Sequence, residues 1–137
     1  MDAVNAFTRI RESAAGRTKP AAKVIDCLEP GDAIRQGDLY VIRLASLPEG
    51  AEVMAEAPMQ LVPGRSRGSR HTITRETFAG CALYRLAATT ELDGPVIVAR
   101  EAFEISHPEH GHFVLPAGTY QVRYQRRWSS RLERAKD

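Results

Sequence analysis

The sequence predicts a single, mostly β domain, a small antiparallel barrel or sandwich preceded by a short N-terminal helix. Three observations support this fold class. The chain has 137 residues, and single domains usually hold roughly 100–200. Glycine and proline separate its short apolar segments at about the spacing of sandwiches and barrels, roughly one turn in 8–12 residues. One C-terminal segment alternates apolar and polar residues, which is typical of a half-buried strand.

The N-terminal segment has helical rather than strand periodicity. Val4, Phe7 and Ile10 recur at intervals of three with polar residues between them, and this spacing predicts an amphipathic helix within 3–14. We therefore divide the chain into an N-terminal helix and linker (1–20), a β domain (21–128) and a charged C-terminal tail (129–137).

The strand signals begin near residue 22 and are clearest in segment 118–128. There Tyr120, Val122 and Tyr124 alternate with polar residues, so they are expected to share the buried face of a strand. Further predicted strands are 38–45, 95–100 and 102–106, and weaker candidates are 23–28, 59–62, 70–75 and 81–87, the last of which also suits a helix.

Composition and charge exclude several classes of protein. Nineteen basic residues face 17 acidic ones, a net charge of +2, so global charge does not drive binding to a polyanion. No stretch approaches the roughly 18 apolar residues of a membrane span. The first residues lack the apolar run of a secretory signal. We therefore predict a cytoplasmic protein with no membrane partner.

Histidines form the most informative local pattern. His107, His110 and His112 lie within one short segment, and His71 follows an arginine-rich loop. Imidazole is the commonest neutral metal ligand, and clusters of it suit zinc, nickel, iron or manganese. If strand 70–75 pairs beside 112–115, His71 would complete a divalent-metal site with the other three. Such a site could serve an accessory or binding role or a metal-dependent enzyme, whereas the alternative is a solvated turn.

Two basic stretches suggest a different function, an interaction module for nucleic acid or protein. Arginines next to aromatic residues on a β surface can bind single-stranded nucleic acid through its backbone and bases. The alternative is an ordinary charged face, and a protein partner or a homo-oligomer also remains open. The candidate residues in loop 65–75 are Arg65, Arg67 and Arg70. Those of the C-terminal strand are Arg123, Arg126 and Arg127.

Several short motifs occur in the same order as in a group of small uncharacterised bacterial and phage β-rich proteins. The segments are Arg35-Gln36-Gly37-Asp38, Gly68-Ser69-Arg70-His71, His107-Pro108-Glu109-His110 and Leu115-Pro116-Ala117-Gly118-Thr119-Tyr120 with Gln125-Arg126. They resemble the group's RQGD, GHxH, HxxH and LPxGTYxVxxQR motifs. The resemblance implies a paired-histidine site at His71, His107 and His110. Ser69 departs from it by replacing a histidine, which puts His112 forward as a substitute.

Overall fold

The computed structural model describes residues 10–12, 22–87 and 89–125. Within these residues the chain is mostly β, with one short helix, α1 (Arg75–Phe78), and a 3₁₀ turn at Arg67–Ser69. The strands are β1 (Ile10–Glu12), β2 (Ala22–Ile25), β3 (Ala33–Gln36), β4 (Leu39–Leu44), β5 (Glu52–Val53), β6 (Thr72–Ile73), β7 (Cys81–Arg85), β8 (Asp93–Ala99), β9 (Phe103–His107), β10 (Gly111–Leu115) and β11 (Gly118–Tyr124).

The strands form two sheets. Sheet 1 has the order β1-β2-β10-β9-β6, and sheet 2 has the order β3-β4-β11-β8-β7-β5. The mostly β prediction is confirmed, and of the two predicted architectures the sandwich fits, because neither sheet closes into a barrel within the described ranges. Among the same residues, no helix has the length and apolar character needed to cross a membrane.

The topology corrects three details of the prediction. Strand β10 runs parallel to β2, so the arrangement is not antiparallel throughout. Strand β6 pairs with β9 rather than with β10. Ile10–Glu12 form a strand paired with β2, so the helix predicted for 3–14 is wrong there. The rest of that prediction and the tail 129–137 lie outside the described residues.

The apolar core lies between the inward faces of the two sheets. Phe103, Ile105 and Leu115 of sheet 1 and Val41, Tyr120 and other residues of sheet 2 belong to one buried cluster. The rings of Phe103 and Tyr120 meet edge to face, with centroids 5.4 Å apart. The alternation predicted for β11 is confirmed in part: Tyr120 and Val122 are fully buried, but Gln121 between them is buried as well. Burial of this core is the main source of the domain's stability.

Burial of Tyr120 in the core makes the stability of the domain depend on pH in the alkaline range. Its hydroxyl donates to Pro116 O at 2.7 Å, and burial raises the pKa of Tyr120 from 10.0 to about 12. The folded state therefore disfavours the phenolate, and stability present below pH 10 is lost as the pH rises toward 12. We expect the urea midpoint of Tyr120→Phe to fall less over this interval than that of the wild type. Equal slopes in the two proteins would contradict this assignment.

Candidate functional site

Three of the four histidines converge at one end of the sandwich. His107 is the last residue of β9, His71 immediately precedes the neighbouring strand β6, and His110 lies in the turn that follows β9. The ring centroids are 4.3 Å apart for His71 and His107, 4.4 Å for His107 and His110, and 6.2 Å for His71 and His110. His71 and His107 are each 1 % exposed, whereas His110 is exposed. We call these three residues the histidine cluster.

His107 connects the β9–β10 turn to the arginine-rich loop. Its Nδ1 accepts hydrogen bonds from the backbone N–H groups of Glu109 at 3.0 Å and His110 at 3.1 Å. A backbone N–H can only donate, so Nδ1 carries no proton and Nε2–H donates to Gly68 O at 3.2 Å. Gly111 completes the turn at a φ of 82°, a left-handed conformation that glycine adopts without strain.

Gln36 orients His71 from the other sheet. The Gln36 Nε2 amide donates to Ile105 O at 3.0 Å and to Gly111 O at 2.8 Å, and both of these carbonyls can only accept. The amide orientation is thereby fixed, so Gln36 Oε1 accepts the Nδ1–H of His71 at 2.8 Å. This side chain joins β3 of sheet 2 to two strands of sheet 1. It also sets the tautomer and the ring direction of His71.

His112 lies on the opposite face of sheet 1 from the ring of His107. In the β9–β10 pair, His112 is opposite Ser106, whereas His107 is opposite Gly111. Directly opposed residues share a face, and successive residues alternate between faces. The structure therefore does not bring His112 to the histidine cluster, although His112 is largely buried.

The geometry bears on the predicted metal site. Among the described residues, no group of three or more His, Cys, Asp or Glu side chains is arranged to hold a metal ion. In the histidine cluster, the unprotonated nitrogen of His107 already accepts two N–H groups, whereas a metal ligand needs a lone pair for the metal. Zinc, nickel, iron or manganese binding thus remains a prediction, and it requires His107 to change its hydrogen bonds.

Ser69 occupies the position where the resembled motif has a histidine, and its role here is local. It is buried, its Oγ lies 2.9 Å from Ser66 Oγ, and its backbone N–H donates to Ser66 O at 3.1 Å. A side chain at Gly64 would meet this hydroxyl at 2.8 Å. Ser69 therefore fills the inside of the loop and helps to fix its shape.

The loop that carries Ser69 presents three exposed arginines, Arg65, Arg67 and Arg70. We call residues 64–70 the arginine loop. Gln60 Nε2 donates to Gly64 O at 2.9 Å at its start, and His107 holds Gly68 O near its end. The guanidinium groups therefore project from a backbone that is fixed independently of any ligand. The Arg67 Nε lies 3.8 Å from a carboxylate oxygen of Glu109.

The C-terminal arginines do not join this group within the described residues. Arg123 lies on β11 of sheet 2, and its guanidinium is 3.7 Å from an Asp93 carboxylate oxygen. Arg126 and Arg127 lie outside the described residues. The three loop arginines are thus exposed, whereas Arg123 belongs to sheet 2, and the predicted nucleic-acid surface stays a prediction.

Sequence reasoning missed two contributors to the site, Gln36 and the carbonyl of Gly68. Gln36 lies in the RQGD motif, which was an available signal, but a lone glutamine has no chemistry that identifies its partner. The Gly68 carbonyl is a backbone group and carries no residue-type signal at all. Both contributions depend on contacts between segments far apart in the chain.

Comparison with known proteins places the chain in a family. Searches of curated proteins and of solved structures found no match. A family model described as a domain of unknown function, DUF8820, matches residues 35–125. This range contains Gln36, the arginine loop and the whole histidine cluster. The match covers well over half of the chain, and the chain therefore belongs to the DUF8820 family.

Proposed function

We propose that this domain is a binding module for phosphate-bearing ligands and that the arginine loop with His110 forms its binding surface. The observation that carries the proposal is the fixed presentation of three exposed arginines on one short loop. Guanidinium is planar, stays charged at neutral pH and bonds phosphate oxygens through two parallel N–H donors. A pre-fixed backbone reduces the ordering cost of such contacts.

Charge and neighbouring groups agree with an anionic ligand. The arginine loop itself contains no acidic residue. The acidic group paired with it is Glu109, and its contact with Arg67 is long and exposed. Exposed ion pairs of this kind are worth roughly 0–1 kcal/mol, so a phosphate group can displace the carboxylate. The exposed imidazole of His110 supplies a further donor next to Glu109 in the same turn.

The histidine cluster acts in this proposal as the support of the surface. His107 ties the arginine loop to the turn that carries His110, and Gln36 with His71 ties both to the sandwich. The two basic elements are thereby held next to each other. The separation between the backbones of Arg67 and His110 is then set by buried hydrogen bonds.

Removing two of the arginines tests the proposal. We expect a fluorescein-labelled single-stranded oligonucleotide to bind the wild type at low salt. Arg67→Gln/Arg70→Gln should weaken binding about tenfold, and the log–log salt dependence should lose a slope of about 1.4, since each phosphate contact to a single strand contributes about 0.7. Fluorescence anisotropy across a salt series gives both values.

The matched control is Arg123→Gln, which removes one positive charge from β11 of sheet 2 and leaves the arginine loop unchanged. It should leave both the affinity and the salt slope close to those of the wild type. Pyrophosphate should compete with the oligonucleotide if phosphate is the recognised group. Equal affinity of the wild type and the double variant would contradict the proposal, as would an effect of Arg123→Gln as large as that of the double variant.

A further inference from the structure

A second region with the shape of a binding site lies between strands of sheet 2 and the segment 58–63, which leads into the arginine loop. It is an open cavity of about 300 Å³ lined mainly by apolar groups, among them Met54, Pro58, Leu83, Pro95 and Tyr124. Small-molecule sites are concave and mostly apolar, with volumes of roughly 300–1,000 Å³. The cavity is at the lower end of this range, which suits a short chain or a single ring.

The cavity wall is fixed by hydrogen bonds that also satisfy its backbone groups. The Tyr124 hydroxyl donates to Leu61 O at 2.8 Å, and Gln60 Nε2 donates to Val62 O at 2.7 Å. These two carbonyls belong to the segment that forms one side of the cavity. Polar groups of the wall are therefore directed into the wall itself, which leaves a surface that favours an apolar occupant over water.

A second cavity of about 200 Å³ continues from the first and has a charged end. The two share Met54, Pro95 and Tyr124, and the second adds Arg85 and Asp93. Asp93 is engaged, because one of its carboxylate oxygens lies 3.7 Å from the guanidinium of Arg123 and the other accepts bonds from Thr90.

Arg85, in contrast, is exposed and makes no ion pair with any residue that the structure describes. The cation available to a ligand at this end of the cavity is therefore Arg85, and the complementary ligand group is an anion. Because the guanidinium is planar and offers parallel N–H donors, a carboxylate fits it with two hydrogen bonds.

We propose that the two cavities form a binding site for a small aliphatic carboxylate. Its apolar chain occupies the larger cavity between Met54 and Tyr124, and its carboxylate pairs with Arg85. The apolar lining supplies affinity through burial of the chain, whereas Arg85 supplies the preference for a charged end. The residues assigned to this ligand differ from those assigned to phosphate, although Gln60 contacts both the cavity wall and the start of the arginine loop.

Decanoate tests this site, with decanol as the uncharged comparison at submicellar concentrations. Isothermal calorimetry should show that the wild type binds decanoate more tightly than decanol. Arg85→Gln should weaken decanoate binding about tenfold, in line with loss of a hydrogen bond to a charged group, and should leave decanol binding unchanged. Arg75→Gln, an exposed arginine on α1, should bind like the wild type.

Met54→Trp provides a second, independent variant because it fills the cavity without touching the charge. It should weaken decanoate and decanol alike, and its urea unfolding curve reports whether the domain still folds. The proposal would be overturned if decanoate failed to bind the folded wild type. It would also be overturned by equal decanoate affinities of the wild type and Arg85→Gln, or by undiminished binding to a folded Met54→Trp variant.

Discussion

His107→Ala should reduce the free energy of unfolding by about 2–4 kcal/mol, because the substitution removes a side chain with a partner on each ring nitrogen. The N–H groups of Glu109 and His110 lose their acceptor, and the buried carbonyl of Gly68 loses its donor. Each buried polar group left unsatisfied costs roughly 1–3 kcal/mol. Urea unfolding followed by circular dichroism measures the change.

His110→Ala is the control for this prediction, since it removes the neighbouring imidazole of the same cluster. Its side chain is exposed, so the expected loss is about 1 kcal/mol or less. If the two variants were equally stable, His107 would not connect the turn to the arginine loop in the way described. The proposal that the histidine cluster holds the arginine loop in place would then be wrong.

Gln36→Leu should destabilise the domain by a similar amount, about 2–4 kcal/mol, although it preserves most of the side-chain volume. The amide serves Ile105 O, Gly111 O and His71 Nδ1, and all three would be left without this partner. Gln36 is 1 % exposed, so water cannot easily replace it. Chemical denaturation measures the loss, and the ring-proton shifts of His71 report the change in its environment.

Gln36→Glu serves as a second variant that separates the two roles of the amide. It retains an acceptor oxygen for His71 but loses the two N–H donors. It should also be destabilised relative to the wild type, since the carbonyls of Ile105 and Gly111 would face an acceptor. Stability of both variants within about 0.5 kcal/mol of the wild type, the range of ordinary surface substitutions, would contradict a structural role for this residue.

The parts of the fold that follow from local pattern were predictable. Alternation identified β11, since Tyr120 and Val122 fall on the buried face, and β-branched and aromatic residues identified β4. Strand order was not predictable, because pairing depends on contacts between distant segments: the four-histidine site required β6 to lie beside β10, and β6 lies beside β9. Ile10–Glu12 carry apolar spacing that suits a helix, yet they pair with β2, so tertiary pairing overrides the local preference.

The candidate site was predictable in its residues and not in its chemistry. The motifs pointed to His71, His107 and His110, and the structure brings these three rings together. The metal hypothesis depended on which ring nitrogens are available, and that is set by Gln36, by backbone N–H groups and by Gly68 O. His112 was grouped with the other three because it lies in the same short segment, but its side chain is on the opposite face of sheet 1 from that of His107.

The most direct test of the phosphate-binding account is to locate the ligand on the wild-type protein by NMR. Pyrophosphate titrated into ¹⁵N-labelled protein at low salt should shift the Nε–H signals of Arg67 and Arg70 and the ring signals of His110. The Nε–H signal of Arg123 should remain in place as an internal reference. Saturable shifts confined to the arginine loop and His110 are the predicted result. No saturable shift, or shifts centred on Arg123, would contradict the account.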